Sequence, residues 1–175
     1  IGYENTYKLS YPVDDYDTVD GSVDYVDKEM EKYACKDKDE VILIGQSMGG
    51  VVANNIHKKG WKVLYAVYIG SPLHGARLLN QLEKIVPTNI RDALYKKPYG
   101  ILQKCTRASE PDHDYNTISM GWFNTEFDGC VYKDEVVLNE DKHVHLCWAD
   151  HRTIFANPRL WTLVGNLLTK KLNKI

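Results

Sequence analysis

A glycine-rich turn directly follows a short apolar run, and it constrains the fold of this chain more than any other feature. Residues 41–44 are Val, Ile, Leu and Ile, and the turn after them reads Gly45, Gln46, Ser47, Met48, Gly49 and Gly50. A continuous β-branched run of this length is typical of a strand buried on both faces of a parallel sheet. Residues 51–58, closed by Gly60, have the pattern of a helix. The sequence therefore predicts a strand that turns abruptly into a helix.

Ser47 occupies the centre of this turn, in the pattern Gly-x-Ser-x-Gly of a nucleophile elbow. Changing from strand to helix within one or two residues forces the central residue into a strained backbone conformation. We expect Gly45 and Gly49 to be glycines because strand and helix approach closely there. The Met48 amide would face the same space as the Ser47 hydroxyl and could bind an oxyanion. A plain glycine-rich strand–helix turn is the alternative interpretation.

Strand and helix patterns alternate along the rest of the chain, which predicts an α/β fold. Apolar residues at steps of three and four predict a helix over residues 18–34, capped by Asp17 or Thr18. Asn157 and Pro158 have the pattern of a helix start. The predicted strands are residues 7–11, 63–69, 117–124 and 143–148, with a short extended piece at 136–138. Helical patches are predicted at 76–85 and 89–96.

A serine hydroxyl is a poor nucleophile and needs a base that a third group orients. The chain contains six histidines, namely His57, His74, His113, His143, His145 and His151. His151 lies between the predicted strand 143–148 and the last helix, so we expect it on a loop at the carboxyl edge of the sheet. Two other histidines lie inside that strand, and His57 lies about three helical turns beyond the serine. We predict His151 as the base, with a surface or helix-capping histidine as the alternative.

The predicted acid is Asp128, which follows the strand 117–124 and precedes Gly129 on another carboxyl-edge loop. Asp150 is the rival acid. Neighbours in sequence usually point apart, so Asp150 cannot easily hold the ring of His151. A solvated turn aspartate is the alternative interpretation of Asp128. The chain order of serine, acid and histidine fits the Gly-x-Ser-x-Gly pattern.

Four segments resemble those of α/β-hydrolase lipases and esterases. They are the elbow at 41–53, a small residue-Pro-x-His-Gly stretch at 68–76, the acid loop at 127–131, and residues 149–151 followed by Pro158. The resemblance implies a mostly parallel sheet flanked by helices on both faces. It also implies cleavage of carboxylic, chiefly lipid or acyl, esters through an acyl-enzyme intermediate. In such lipases the histidine that corresponds to His74 lies beside the active site and has a structural role, which the resemblance implies for His74 as well.

The front of the chain departs from this family pattern, because no His-Gly oxyanion loop precedes the elbow. The fold is expected to lack the N-terminal strands of the family. The second oxyanion donor lies upstream of Ile1, or in the loop at residues 10–13, or is missing from a weakened enzyme.

We expect one domain over residues 1–175. Within it, residues 73–116 form a lid or pocket wall, or an ordinary crossover.

Composition bears on the partners and the compartment of this chain. The net charge is −2, so no strong field attracts nucleic acid. A small-molecule or lipid ester is the expected substrate, with transient contact to a lipid surface, and the oligomeric state stays open. No signal-peptide pattern is present. A cytoplasmic location is slightly favoured, and secretion stays open if a signal peptide precedes Ile1.

The four cysteines are either free thiols or paired in two disulfides. They are Cys35, Cys105, Cys130 and Cys147.

The proposed chemistry requires no cofactor and no metal. Two weaker patterns could nevertheless bind a metal ion. His143, His145 and Cys147 alternate along one predicted strand, for which a packed strand is the favoured interpretation. Asp112 and His113, followed by a second aspartate, form a polar loop. The competing functions are a thioesterase or acyltransferase with the same triad, and a non-catalytic hydrolase-fold binding module.

Overall fold

The computed structural model describes residues 5–11, 18–77 and 110–174. The strands in these ranges are β1 (Glu40–Gln46), β2 (Lys62–Ile69), β3 (Tyr115–Gly121) and β4 (His143–Cys147). The helices are α1 (Val19–Met30), α2 (Met48–Ile56), α3 (Lys133–Val136) and α4 (Pro158–Leu172). No helix of the described ranges combines the length and apolarity needed to cross a bilayer.

The strands form one parallel sheet in the order β1-β2-β3-β4. Gln46 pairs with Ile69, and Ile69 pairs with Ile118 on the next strand. Gly121 pairs with Cys147 at the other side of the sheet. The strands therefore end at a common edge, and the loops that follow them leave the sheet on the same side. This arrangement confirms the expected parallel α/β fold.

Helices α1 and α2 cover one face of the sheet. Val23 and Met30 of α1 pack with Val52 and Ile56 of α2 in one buried cluster. A neighbouring cluster joins the start of α2 to Tyr68 of β2. These helices carry apolar residues at steps of three and four, so each presents one apolar side to the strands.

The opposite face of the sheet is covered by α4. Leu160 and Val164 of α4 pack against Tyr65, Val67 and Ile69, which alternate with the residues that face α2. Successive side chains of a strand point to opposite faces, so β2 contributes to both cores. Helices on both faces explain why β2 reads as a continuous apolar run. The expected burial of residues 41–44 on both faces is wrong in part, because β1 is half-buried and Ile44 is 45% exposed.

Capping side chains define the starts of the two long helices. The Thr18 side chain accepts a hydrogen bond from the Gly21 amide at 3.1 Å, which confirms Thr18 as the cap of α1. Asn157 accepts from the Arg159 amide at 3.0 Å, with Pro158 in the first turn of α4. The predicted helix 18–34 was too long at its end, because the chain leaves α1 after Met30 through a hydrogen-bonded turn.

Two predicted extended segments form no strand. Residues 7–11 are irregular, and Leu9 and Tyr11 pack against the helical core. In the piece predicted at 136–138, Val137 is extended as expected, but Val136 is the last residue of the short helix α3. The Glu135 carboxylate caps this helix by accepting from the Tyr132 amide at 2.7 Å.

The remaining element predictions are confirmed within a few residues. Strand β3 runs over Tyr115–Gly121 instead of 117–124, because a turn follows in which the Thr125 amide donates to the Trp122 carbonyl. The helical patches predicted at 76–85 and 89–96 fall almost wholly outside the described residues. The same holds for most of the lid or pocket wall predicted at 73–116.

Candidate active site

The backbone at Ser47 has the strained conformation predicted for an elbow. Its φ is 52° and its ψ is −129°, a region that non-glycine residues rarely adopt. The Ser47 amide donates to the Ile69 carbonyl at 2.9 Å, and the Gly50 amide donates to the Ser47 carbonyl at 3.1 Å. The serine is thus held between the end of β2 and the first turn of α2, at the carboxyl edge of the sheet.

Close packing explains two of the three glycines around Ser47. A Cβ atom on Gly45 would lie 2.6 Å from the Gly49 carbonyl oxygen, and one on Gly50 would lie 1.9 Å from Ser71 Oγ. Gly49 differs, because among the described residues a Cβ there would have no neighbour nearer than the Tyr11 hydroxyl at 4.0 Å. The steric reason predicted for Gly49 is therefore wrong, and Gly50 is the constrained position.

Asp128 and His151 form a direct hydrogen-bonded pair. The Nδ1 atom of His151 lies 2.7 Å from Oδ2 of Asp128, whose side chain is fully buried. The Asp128 Oδ1 atom accepts from the amides of Cys130 at 2.8 Å and Val131 at 2.7 Å. A carboxylate only accepts hydrogen bonds, so with Asp128 as the acceptor Nδ1 of the ring is the donor, and in a neutral ring Nε2 then carries the lone pair. This is the tautomer that a general base requires.

Backbone contacts join the histidine loop to the other two loops. The His151 amide donates to the Asp128 carbonyl at 3.0 Å. The Gln46 side-chain amide donates to the His151 carbonyl at 2.8 Å, and Gln46 immediately precedes Ser47. The predicted serine, acid and histidine are therefore carried by three loops at one edge of the sheet.

Gly70 is a site residue that the sequence analysis missed. Its φ is 52°, and a Cβ atom there would lie 3.3 Å from Asp128 Oδ2 and 3.4 Å from His151 Nδ1. Since the carboxylate and the ring pack directly over its backbone, a side chain would press on the pair. Its position immediately after a buried strand was the signal that could have identified it.

The Asp150 carboxylate, the rival candidate for the acid, has a different role. Its oxygens accept from the amides of Arg152 at 2.9 Å and Thr153 at 3.0 Å, and Asp150 also bonds the Thr153 hydroxyl. These hydrogen bonds lower the pKa of Asp150, the bond from the Thr153 side chain most of all. Asp150 therefore shapes the loop that carries His151.

The Met48 amide belongs to the first turn of α2, directly after Ser47. Met48 opens α2, and the first amides of a helix have no partner within the helix. The Tyr11 hydroxyl also approaches the start of this helix, near Gly49. Burial raises the pKa of Tyr11 to about 12, so the phenol keeps its proton. The predicted donor loop at residues 10–13 continues beyond Tyr11 outside the described residues.

His74 belongs to a neighbouring polar cluster that fixes the loop after β2. Its Nε2 atom lies 2.7 Å from the Val137 carbonyl oxygen, and its amide donates to the Glu135 carbonyl at 3.0 Å. The Glu135 side chain is buried and accepts from the Arg77 amide. Burial raises the pKa of Glu135. The contacts place His74 in a structural role, as the resemblance implied.

Exposed aromatic rings lie on the loops after β3 and β4. Phe123 and Trp148 are 64% and 62% exposed, and their ring centroids lie 4.9 Å apart in an edge-to-face arrangement. Both have positive φ, 53° and 61°, which is strained for bulky residues. The Trp148 amide donates to the Phe123 carbonyl at 3.3 Å. Apolar rings are therefore exposed to solvent at the same carboxyl edge of the sheet as Asp128 and His151.

The two histidines of β4 form hydrogen bonds with protein groups through both ring nitrogens. His143 lies within 2.9 Å of the Thr117 and Ser119 hydroxyls, and His145 lies near Ser119 and the Thr125 carbonyl. These side chains and Cys147 do not form a metal-binding group within the described residues. Two groups of described residues could hold a metal ion. One consists of His57, Asp112 and His113, and the other of Asp128, Cys130 and His151.

The described cysteines are free thiols: Cys35, Cys130 and Cys147.

Comparisons with known proteins identify the fold. No protein-family model matches the sequence, and no curated protein sequence matches it. The mature Bacillus licheniformis lipase BlEst2 superposes with a TM-score of 0.69 at 16% identity, covering 86% of this chain and 74% of the lipase. The RedJ thioesterase of the prodiginine biosynthetic pathway in Streptomyces coelicolor gives 0.53 at 17% identity, covering 88% and 68%.

A third similar structure is the N-acyl homoserine lactonase AidH, complexed with N-butanoyl homoserine. It gives a TM-score of 0.60 at 11% identity, covering 94% of this chain and 74% of the lactonase. Identities this low carry information about the fold alone. The shared architecture, together with the parallel sheet and the strained serine between β1 and α2, shows that the chain has the α/β-hydrolase fold.

Proposed function

We propose that this chain is a serine hydrolase that cleaves carboxylic esters with Ser47 as nucleophile, His151 as base and Asp128 as the orienting acid. The observation that carries the proposal is the buried Asp128–His151 pair on the same sheet edge as the strained serine. The position of the serine on a strand-to-helix turn exposes its hydroxyl to that edge. A base oriented by an acid is what such a serine needs for attack.

The proposed mechanism follows from the proton positions. Nδ1 of His151 donates to Asp128, so Nε2 can take the proton of Ser47 as its oxygen attacks the acyl carbonyl. The Met48 amide donates to the developing oxyanion. His151 then returns the proton to the departing alcohol, and water attacks the acyl-enzyme by the reverse sequence of transfers. Asp128 stabilises the imidazolium throughout and keeps its own charge.

The substrate class we propose is a small-molecule acyl or lipid ester. Phe123 and Trp148 support it, because exposed rings at the loops beside the pair could contact an acyl chain or a lipid surface. Similar structures include a lipase, a thermophilic esterase, a thioesterase and a lactonase, all of which act on acyl carbonyls. A thioesterase would use the same triad chemistry, and the carbonyl of its thioester substrate would meet the same hydrogen-bond donors.

A fluorophosphonate probe tests the nucleophile directly. We expect the wild-type chain to label, and Ser47→Ala and His151→Ala to label far more slowly or not at all. Ser71→Ala is the matched control, because the buried Ser71 hydroxyl lies 3.4 Å from the carbonyl oxygen of the elbow residue Gly45. It should label like the wild type. A wild-type chain that stays unlabelled would support a non-catalytic binding module, and a Ser47→Ala variant that labels equally would overturn the assignment of Ser47 as nucleophile.

The acyl group is tested separately with p-nitrophenyl esters from acetate to palmitate and with matched acyl thioesters. We expect ester hydrolysis that is lost in Ser47→Ala. Turnover of thioesters alone would keep the triad and replace the proposed substrate class. Trp148→Ala should reduce activity toward long chains more than toward acetate if the exposed rings contact the acyl chain.

A further inference from the structure

A second cluster of potential metal ligands lies apart from the elbow. His57 follows the end of α2, and Asp112 and His113 lie in the loop that enters β3. One ligand atom from each of the three residues lies within 4.8 Å of the others. A helix rises 1.5 Å per residue, so His57 lies about 15 Å from Ser47 along α2. The cluster is therefore separate from the candidate active site.

Two ring nitrogens in this cluster are buried without a hydrogen bond. The Nδ1 atoms of His57 and His113 are both inaccessible to solvent and have no hydrogen-bond partner among the described residues, since Asp112 Oδ1 lies 3.6 Å from His113 Nδ1. The His113 side chain is only 5% exposed. Burying a polar nitrogen without a partner is costly, and native structures contain few such atoms. Two of them beside one carboxylate indicate that something fills the space between them.

Tyr68 holds the His113 ring in an orientation suited to metal binding. The Tyr68 hydroxyl lies 2.9 Å from Nε2 of His113, which directs the unpartnered Nδ1 atom toward Asp112. Metal-binding histidines generally donate their other ring N–H to a protein acceptor, which fixes the tautomer.

We propose that His57, Asp112 and His113 bind a divalent transition metal ion of the zinc class. Two imidazoles and one carboxylate are ligands that zinc commonly takes, with water in the fourth position. The imidazoles favour zinc over magnesium or calcium, which prefer oxygen ligands. The Asp112 carboxylate lies 3.6 Å from His113 Nδ1 and is 84% exposed, so it can turn toward the ion. The ion would join the end of α2 to the start of β3.

In the other potential metal group, formed by Asp128, Cys130 and His151, no buried ring nitrogen lacks a hydrogen bond among the described residues. Both oxygens of Asp128 accept hydrogen bonds, and Nδ1 of His151 is bonded to that carboxylate. An ion placed there would have to break the Asp128–His151 bond. Cys130 is the ligand present there that the proposed zinc site lacks, so a Cys130→Ser variant distinguishes the two sites.

Zinc binding to the whole chain tests the proposal without measuring activity. Chelator-treated protein is titrated with Zn²⁺ by calorimetry and with Co²⁺ by visible spectroscopy, and its thermal unfolding is followed with and without Zn²⁺. We expect about one equivalent to bind, a rise in Tm of several degrees, and a Co²⁺ spectrum that Zn²⁺ abolishes. Absence of binding overturns the proposal.

The variants assign the ligands. Asp112→Ala changes an exposed side chain and leaves the fold intact, so it carries the test even if His113→Ala fails to fold. We expect Asp112→Ala and His57→Gln to weaken Zn²⁺ binding by at least about tenfold and to abolish the Tm rise. Cys130→Ser should bind like the wild type. The proposal is overturned if Asp112→Ala and His57→Gln bind normally, or if Cys130→Ser alone abolishes binding.

Discussion

Nδ1 of His151 lies 2.7 Å from Oδ2 of Asp128, and the amide of the same histidine donates to the Asp128 carbonyl at 3.0 Å. The acid thus holds both the ring and the backbone of the base. The other carboxylate oxygen accepts two amides from residues 130 and 131, which leaves the Asp128 side chain no freedom to turn. Asp128 therefore orients both the ring and the backbone of His151.

Asp128→Asn should reduce kcat/KM for ester hydrolysis by about 10³- to 10⁴-fold, because an amide in place of Oδ2 favours the wrong tautomer of His151. The amide oxygen can still accept from the Cys130 and Val131 amides, so the fold should survive, as circular dichroism would check. Asp150→Asn is the matched control, and we expect it to retain most activity. An equal loss in both variants would contradict the assignment of the acid.

Replacing Ser47 by glycine should stabilise the chain relative to Ser47→Ala. Alanine keeps the strain of φ 52°, whereas glycine adopts this conformation freely. Relief of about 1–3 kcal/mol of strain exceeds the chain-entropy cost of glycine of about 0.5–1 kcal/mol. Urea unfolding of the two inactive variants measures the difference. Equal midpoints, or a less stable glycine variant, would show that the elbow stores no strain.

Two neighbouring glycines should respond differently to alanine. Gly50→Ala places a Cβ 1.9 Å from Ser71 Oγ, and we expect it to cost about 1–3 kcal/mol by overpacking. In the part of the chain that the structure describes, Gly49→Ala meets no atom nearer than the Tyr11 hydroxyl at 4.0 Å, so its effect on unfolding free energy should stay within about 0.5 kcal/mol. Adding Ser71→Ala to the Gly50 variant should restore part of the loss. Urea denaturation of all three variants checks this order.

The half-buried His143 of β4 should make stability depend on pH. Burial lowers the pKa of His143 from 6.5 to about 4. Between these values the unfolded chain binds a proton that the folded chain excludes, so the free energy of unfolding should fall as the pH falls from 6.5 toward 4. His143→Asn should be less stable at neutral pH but show a shallower decline.

The measurement for this prediction is the urea midpoint of both proteins at several pH values, together with an NMR titration of the His143 ring. Parallel stability curves for the two proteins would contradict the prediction, as would a His143 ring that titrates near pH 6.5.

Local sequence patterns identified most of the elements that position the site. The elbow, the strand that precedes it and the helix that follows were predictable because each depends on neighbouring residues. The cap at Thr18 and the helix start at Asn157 follow from short-range hydrogen bonding in the same way. Residues 7–11 were misread as a strand because packing of Leu9 and Tyr11 against helices gives the same alternation of side chains.

Contacts between residues that are distant in sequence could not be predicted from local patterns. Gly70 lies under the Asp128–His151 pair, 58 and 81 residues from its two neighbours, and no local pattern marks that proximity. His57 and His113 are likewise brought together only when α2 packs beside the entry to β3. The same limit explains Gly49 and Gly50, since Ser71 on the next loop decides which of them must lack a side chain.

The order of strands and helices and the local geometry at Ser47 could be predicted, because they depend on residues a few positions apart. Which carboxylate reaches His151, and which glycines touch a neighbour, follows from the folding of the whole chain. Those outcomes depend on how four strands align in register and on which side chains the aligned loops bring within 3 Å of one another.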